Sequence, residues 1–290
     1  MVVWSPFRFN NGRETANRFA IAPLTTDSSH EDGTATEHEL EFVRRRAASG
    51  FGATISSAAY VEQDGRSWQG IGAAHDGHLS SLHRLAEAMR AAGGLAILQI
   101  YDGGRIAKPE LIGEQCLRAP SAVASLRPGA KTPRAMTANE VGSLIASFRE
   151  AASLARKAGF DGVEIHGANH YAVHQFFSPR ANHRVDNWGG TLSKRMNFPL
   201  AVAQAVRDAL GPKLITGSAL RHLSPSRTVI RLRTPNCFVM NLPSWISTTS
   251  PFRLMIIGRA DLWERPVFMM VRSRRIIPRQ RVQSRNLPAS

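Results

Sequence analysis

The chain has 290 residues, 43% of them apolar, which is enough for a packed core in one large α/β domain or two ordinary ones. No apolar run approaches the roughly 20 residues needed to cross a bilayer. The opening Met-Val-Val-Trp-Ser-Pro-Phe-Arg-Phe has neither the basic start nor the apolar centre of a signal peptide.

Two cysteines, Cys116 and Cys237, make no disulfide framework, so a reducing cytoplasm is the expected setting. The net charge of +15 raises the question of nucleic acid, and its distribution answers it. Residues 218–290 hold 13 Arg, no Lys and two acids, Asp261 and Glu264, a balance of +11 that leaves +4 for everything before them. That tail is also full of Trp, Phe, Met and Ile, unlike a solvated basic arm. Neither a nucleic-acid nor a membrane partner is expected.

Residues 1–217 alternate strand-like and helix-like segments, the pattern of a parallel α/β fold. Arg18–Ala22 reads as a first strand closed by Pro23, and Thr36–Ser49 as a helix. Phe51–Ala58 reads as a second strand. His78–Ala92 is amphipathic, with Leu79, Leu82, Leu85, Ala86 and Met89 at helical spacing, and ends at Gly93-Gly94. Leu95–Ile100 is a nearly all-apolar third strand, as expected of one covered on both faces. Gly103–Thr137 is a loop too long for a simple connection, and such loops are usually functional. Thr137-Ala-Asn-Glu140 fits a capping box and opens a helix to about Ala158. A fourth strand follows at Asp161–His166, then a helix from Ser193 to Leu210 and a fifth strand at Lys213–Gly217.

In the fourth strand, Val163 and Ile165 alternate with Glu164 and His166, which puts the two polar side chains on one side. The strand stops at Gly167, and Asn169 and Tyr171 follow at once. The first four strands end in Pro23-Leu24-Thr25, Ala58, Gln99 and His166. Polar groups recurring at one end favour a (β/α)8 barrel over a doubly wound sheet. The histidines His166, His170 and His174 are spaced four apart, but Gly167 interrupts any common helical face and no metal site is expected. No Ser sits in a nucleophile elbow. Gly70-x-Gly72 lacks the third glycine of a dinucleotide fingerprint.

These residues suit a bound aromatic heterocycle. Gln99 offers both donor and acceptor to an imide edge. His166 and Asn169 can donate to a carbonyl oxygen that gains negative charge. A tyrosine such as Tyr171, with an ordinary pKa of about 10, stays protonated at neutral pH and can serve as a general acid. The alternative is another TIM-barrel enzyme that uses the same polar mouth without such a heterocycle.

Residues 4–217 resemble the old yellow enzyme family of FMN-dependent NAD(P)H:flavin oxidoreductases and ene-reductases. The likeness rests on Asn17-Arg18 leading to Ala22-Pro23-Leu24-Thr25, on Gln99 followed by Gly104-Arg105, and on Ala155–Tyr171. It continues through Phe177-Ser-Pro, Asn182-x-Arg184-x-Asp186-x-x-Gly189-Gly190 and Arg195. The resemblance implies a TIM barrel with FMN across its C-terminal mouth, contacted by Pro23, Leu24, Thr25, Ala58 and Gln99. It implies that His166 and Asn169 bind the oxygen of an α,β-unsaturated carbonyl or quinone-type substrate and that Tyr171 delivers a proton. NADH or NADPH would reduce the flavin first. His170 replaces the glycine usual between Asn169 and Tyr171.

After Gly217 the family expects a Val-Arg-Leu-Ser/Thr-Pro segment, three more βα units and the loops that bind the FMN phosphate. The chain instead reads Gly217-Ser-Ala-Leu-Arg-His-Leu-Ser-Pro. With suitable codons, restoring one base near Gly217 yields Gly-Val-Arg-Leu-Thr-Pro, so residues 218–290 read as translated out of frame. The expected product is an incomplete barrel of about five βα units. Its first and fifth strands would have open edges, Glu164 would lose a cationic partner, and FMN would be held weakly or not at all.

Overall fold

The computed structural model describes residues 4–220; the Arg-rich tail from Arg221 onward lies outside the described residues, as do its expected frame and order. Five parallel strands run in sequence order across one sheet: β3 (Ala20–Ile21), β4 (Ala53–Ile55), β6 (Leu95–Tyr101), β9 (Gly162–Gly167) and β10 (Ile215–Leu220). β5 (Ala59–Tyr60) adds to the far end of β6. Helices α1 (Glu37–Ala47), α2 (Leu79–Arg90), α4 (Ala138–Lys157) and α6 (Leu192–Leu210) alternate with the strands. This is the opening half of a βα barrel, with β3 and β10 as the end strands of the described order.

The two faces of the sheet bury different things. Leu98, Ile100, Val163 and Ile165 face the helices and meet Leu82, Met89, Phe148, Phe198 and Val202 in the main core. The alternate residues Ile55, Ile97 and Ile215 face the other way and pack on Phe9. Phe9 comes from a hairpin of β1 (Phe7–Arg8) and β2 (Glu14–Thr15), which sequence periodicity did not reveal. Beside it, Asn11 Nδ2 and Arg13 Nε donate to the Lys213 carbonyl, and Arg13 pairs with Asp161. The hairpin thereby closes the N-terminal end of the half-barrel.

Local chemistry sets the helix starts. Thr36 caps α1 by accepting from the Glu39 N–H, with Glu37 and Glu39 in the first turn and three arginines in the last. Thr137 and Glu140 form the expected capping box of α4. Of the expected strand Phe51–Ala58 only Ala53–Ile55 forms a strand, β4, and β5 begins just past its expected end, at Ala59. The Ser56 hydroxyl donates to the Ser57 carbonyl at 2.6 Å and accepts from the Gln99 N–H, so a side chain takes the place of a ladder partner there. The first strand keeps only Ala20–Ile21 of Arg18–Ala22. The fifth is displaced to Ile215–Leu220, because its ladder to β9 runs from Ile215↔Gly162 to Leu220↔Gly167. The long loop contains α3 (Pro109–Ile112) and a short pair of strands, β7 (Arg118–Ala119) and β8 (Arg134–Ala135). A further short helix, α5 (Ala172–Phe177), follows β9 and was also not foreseen.

Phe148 is fully buried between helix and sheet, whereas Leu126 on the long loop is 92% exposed. Phe148→Ala is expected to cost about 3–5 kcal/mol in urea unfolding, and Leu126→Ala less than about 0.5 kcal/mol.

Candidate active site

The C-terminal ends of β3, β4, β6 and β9 bring the candidate residues to one end of the sheet. Past β3, Pro23 is half-buried, while Leu24 and Thr25 are exposed. Ala58 is buried past β4. Gln99 on β6 stands in register with Glu164 on β9, both on the inward side and both buried. The Gln99 Nε2–H donates to Glu164 Oε1. One of its two amide N–H groups is therefore engaged within the sheet, where the sequence alone presented both as open to a ligand. Glu164, expected to lose a cationic partner, receives this amide hydrogen bond.

His166 is buried at the end of β9, and its Nδ1 accepts from the Ala168 N–H at 3.4 Å. The neutral ring then carries its proton on Nε2, a tautomer assigned from this contact. The Tyr171 ring packs edge-on to His166 at 4.6 Å between centroids and to Tyr101 at 5.0 Å. Tyr101 in turn stacks on Trp68 at 4.4 Å, with the planes 6° apart. Trp68 and Tyr101 thus form an aromatic wall behind Tyr171. Tyr101 was legible in principle, since it continues the inward alternation Ile97, Gln99; Trp68 sits in an irregular loop with no periodic signal.

Asn169 and His170 both adopt the left-handed region, at φ 56° and 66°. The Tyr171 N–H donates to the Ala168 carbonyl at 3.2 Å, closing a tight turn around them. His166 lies on β9, His170 in this turn and His174 on α5, so the four-residue spacing does not put them on one face. Among the described residues no group of three or more His, Cys, Asp or Glu side chains could hold a metal.

A buried charged cluster supports the same end of β6. Asp102 is fully buried, accepts the Gly104 N–H through Oδ1, and places Oδ2 3.6 Å from Arg118 Nη2. Arg118 is paired more closely with Glu62, which also accepts from the Ser147 hydroxyl. Burial pushes the Asp102 carboxyl up to about 7, against the pull of the Gly104 N–H. The Arg118 contact is long and shared with Glu62, so it offsets little of that burial.

FMN is the group the resemblance implies, and the donor set can be tested against it. The residues at the strand ends include the Ser57 hydroxyl, buried without a hydrogen-bond partner among the described residues. The Trp68 indole nitrogen in the aromatic wall is buried in the same condition. Buried donors without a partner and a flat aromatic wall are groups that suit the ring of a planar heterocycle. The strands expected to carry its phosphate fall outside the described residues.

A parallel half-barrel with its polar groups gathered at the C-terminal strand ends defines the class: the first part of a TIM-type barrel. The profile of the NADH:flavin oxidoreductase / NADH oxidase family matches residues 3–231, and the chain belongs to that family. It is 46% identical over 201 residues to the NADH:fumarate oxidoreductase of Klebsiella pneumoniae (strain 342), covering 69% of this chain and 22% of that protein. It is 42% identical over 208 residues to the "Probable NADH-dependent flavin oxidoreductase YqiG" of Bacillus subtilis (strain 168), covering 71% and 55%. Among solved structures, the old yellow enzyme homologue from Zymomonas mobilis superposes with a TM-score of 0.69 at 30% identity, over 76% of this chain and 63% of that one. The chain thus spans about a fifth to just over half the length of these curated relatives. No helix among the described residues is long and apolar enough to cross a membrane.

The folded-state Asp102 holds its proton to about pH 7, whereas an unfolded aspartate holds it only to about 4. Between these values the folded state binds the extra proton, so this group's contribution becomes less favourable as pH rises from about 4 to 7. Asp102→Asn is expected to flatten that part of a stability-versus-pH curve measured by urea unfolding. An unchanged slope would show that Arg118 keeps Asp102 ionised.

Proposed function

We propose that this chain carries the ring-side half of an FMN-dependent oxidoreductase that uses NADH or NADPH to reduce an α,β-unsaturated carbonyl or quinone-type acceptor. The observation that supports it most is the meeting of His166 with Tyr171 at the sheet end that also carries Ala58 and Gln99. FMN, when bound, supplies the hydride chemistry that protein side chains lack. Pro23, Leu24, Thr25, Ala58 and Gln99 are the residues that would hold its ring.

The roles of the remaining residues follow from their chemistry. His166, with its proton on Nε2, and the Asn169 amide are donors for the substrate's carbonyl oxygen, and they favour the charge that develops there. Tyr171 holds a phenolic proton beside them and would pass it to the α-carbon as general acid. Trp68 and Tyr101 keep the phenol against an apolar surface and restrict water on that side.

The domain boundary belongs to the same proposal: residues 1–217 form this half, and residues 218–290 are an out-of-frame continuation. The described strand β10 runs three residues past Gly217, and the family profile extends to residue 231. The half-barrel without its phosphate-binding side is expected to hold FMN weakly and to be impaired as an enzyme.

Two measurements test this. Purified chain reconstituted with FMN is expected to retain well under one flavin per chain after desalting; a stoichiometric yellow product would overturn the impairment. Any NADH oxidation coupled to an enone or quinone should fall by about 10²–10⁴-fold in Tyr171→Phe. An undiminished rate in that variant would remove Tyr171 from the proton-donor role. Coding DNA with no matching frame past codon 217 would reject the frame reading.

A further inference from the structure

The turn that presents Asn169 and Tyr171 has both central residues left-handed. Such a turn favours Asn first and Gly second, because an L side chain at the second position is strained. This chain has Asn169 first and His170 second, a β-carbon where glycine is preferred. Something outside the turn must hold it in place.

The holding groups are adjacent on α5. The His170 N–H donates to His174 Nδ1 at 2.8 Å. The His170 carbonyl accepts from Gln175 Nε2. The same Gln175 nitrogen donates to the Gly103 carbonyl at 2.9 Å, and its Oε1 accepts from the Arg105 N–H at 3.0 Å. Gln175 is only 1% exposed. One buried carboxamide therefore uses both its ends to tie the strained residue to the loop leaving β6. Gly104 permits this: a β-carbon there would lie 2.3 Å from Gln175 Oε1. The α5 helix is itself anchored to β6, with the Ala172 N–H donating to the Asp102 carbonyl at 2.9 Å.

We infer that Gln175, assisted by His174, is a positioning residue that fixes the strained Asn169-His170 turn and so sets the place of Tyr171 against His166. It acts through the backbone of His170. The inference concerns the same site as the proposed function but does not require flavin or turnover, and its test reads the apoprotein directly.

The sequence contains three tyrosines, so the full chain labelled with 3-fluorotyrosine gives three 19F resonances, with the Tyr171 line assigned by Tyr171→Phe. Gln175→Met keeps the side-chain volume and removes all three hydrogen bonds of the carboxamide. The expected result is a shifted, broadened Tyr171 line with the Tyr60 and Tyr101 lines in place, together with amide exchange at His170 faster by about tenfold. Adding His170→Gly to Gln175→Met is expected to sharpen the Tyr171 line again, because glycine takes the left-handed conformation without the clamp. A Tyr171 line unchanged in Gln175→Met would overturn the inference. So would collapse of all three lines together, or failure of His170→Gly to restore the Tyr171 line, since either would make Gln175 a general packing residue. An undiminished rate of NADH oxidation in Tyr171→Phe, with these 19F results intact, would count against the proposed function alone.

Discussion

The pairing of β6 with β9 is the constraint on which the site depends. Its register sets Gln99 opposite Glu164 and Ile100 opposite Ile165. With side chains alternating, one face of this pair supplies apolar contacts to the helices, and the other supplies the buried carboxamide, carboxylate and imidazole. A slip by one residue would exchange the two sets and bury polar groups against the helices. The hydrogen bond from Gln99 to Glu164 crosses the pair on the polar face, so the same contact that satisfies two buried groups also marks the correct register.

Rigidity at the mouth comes from layers behind the residues that face it. Tyr171 leans on Tyr101, Tyr101 on Trp68, and the loop carrying Trp68 is joined to the end of β6 where the Gly103 N–H donates to the Gly65 carbonyl at 2.8 Å. On the other side, the Arg118–Glu62 pair fastens β7 to the segment after β5, with Asp102 close by. A buried charge pair of this kind adds little net stability, and removing one member leaves the other exposed to the full desolvation cost. Its value lies in fixing where the long loop meets the sheet.

Much of this was legible in the sequence where a single local rule governs. The periodicity of Leu79–Met89 and the Thr137/Glu140 box placed α2 and α4 to within a residue or two. The end of β9 at Gly167 followed from the loss of alternation. The family likeness named the mouth residues, and the fold brings them to one end of the sheet. What stayed hidden depends on tertiary partners. Two-residue strands such as those of the N-terminal hairpin are too short to carry a period. The Ser56 side-chain bonds that divide β4 from β5 need β6 alongside. The hydrogen bond from the Gln99 amide to Glu164 could be recognised only once residues 65 positions apart were in register. The His170 position read as an oddity of sequence, and only the α5 side chains explain how the backbone tolerates it.

The hairpin that closes the bottom of the half-barrel has a consequence for biosynthesis. Its two hydrogen bonds to the Lys213 carbonyl link residues 202 and 200 positions apart, and Phe9 shares its small core with Ile215. On a ribosome, the N-terminal segment emerges first but cannot find its seat until the fifth strand has left the exit tunnel. Until then Phe7 and Phe9 have no complete surface to cover, and the sheet interior is open at its lower end. Such sequence-distant closure is slow because the loop entropy is lost before the contact rewards it. The hairpin is therefore made well before the surface on which it settles.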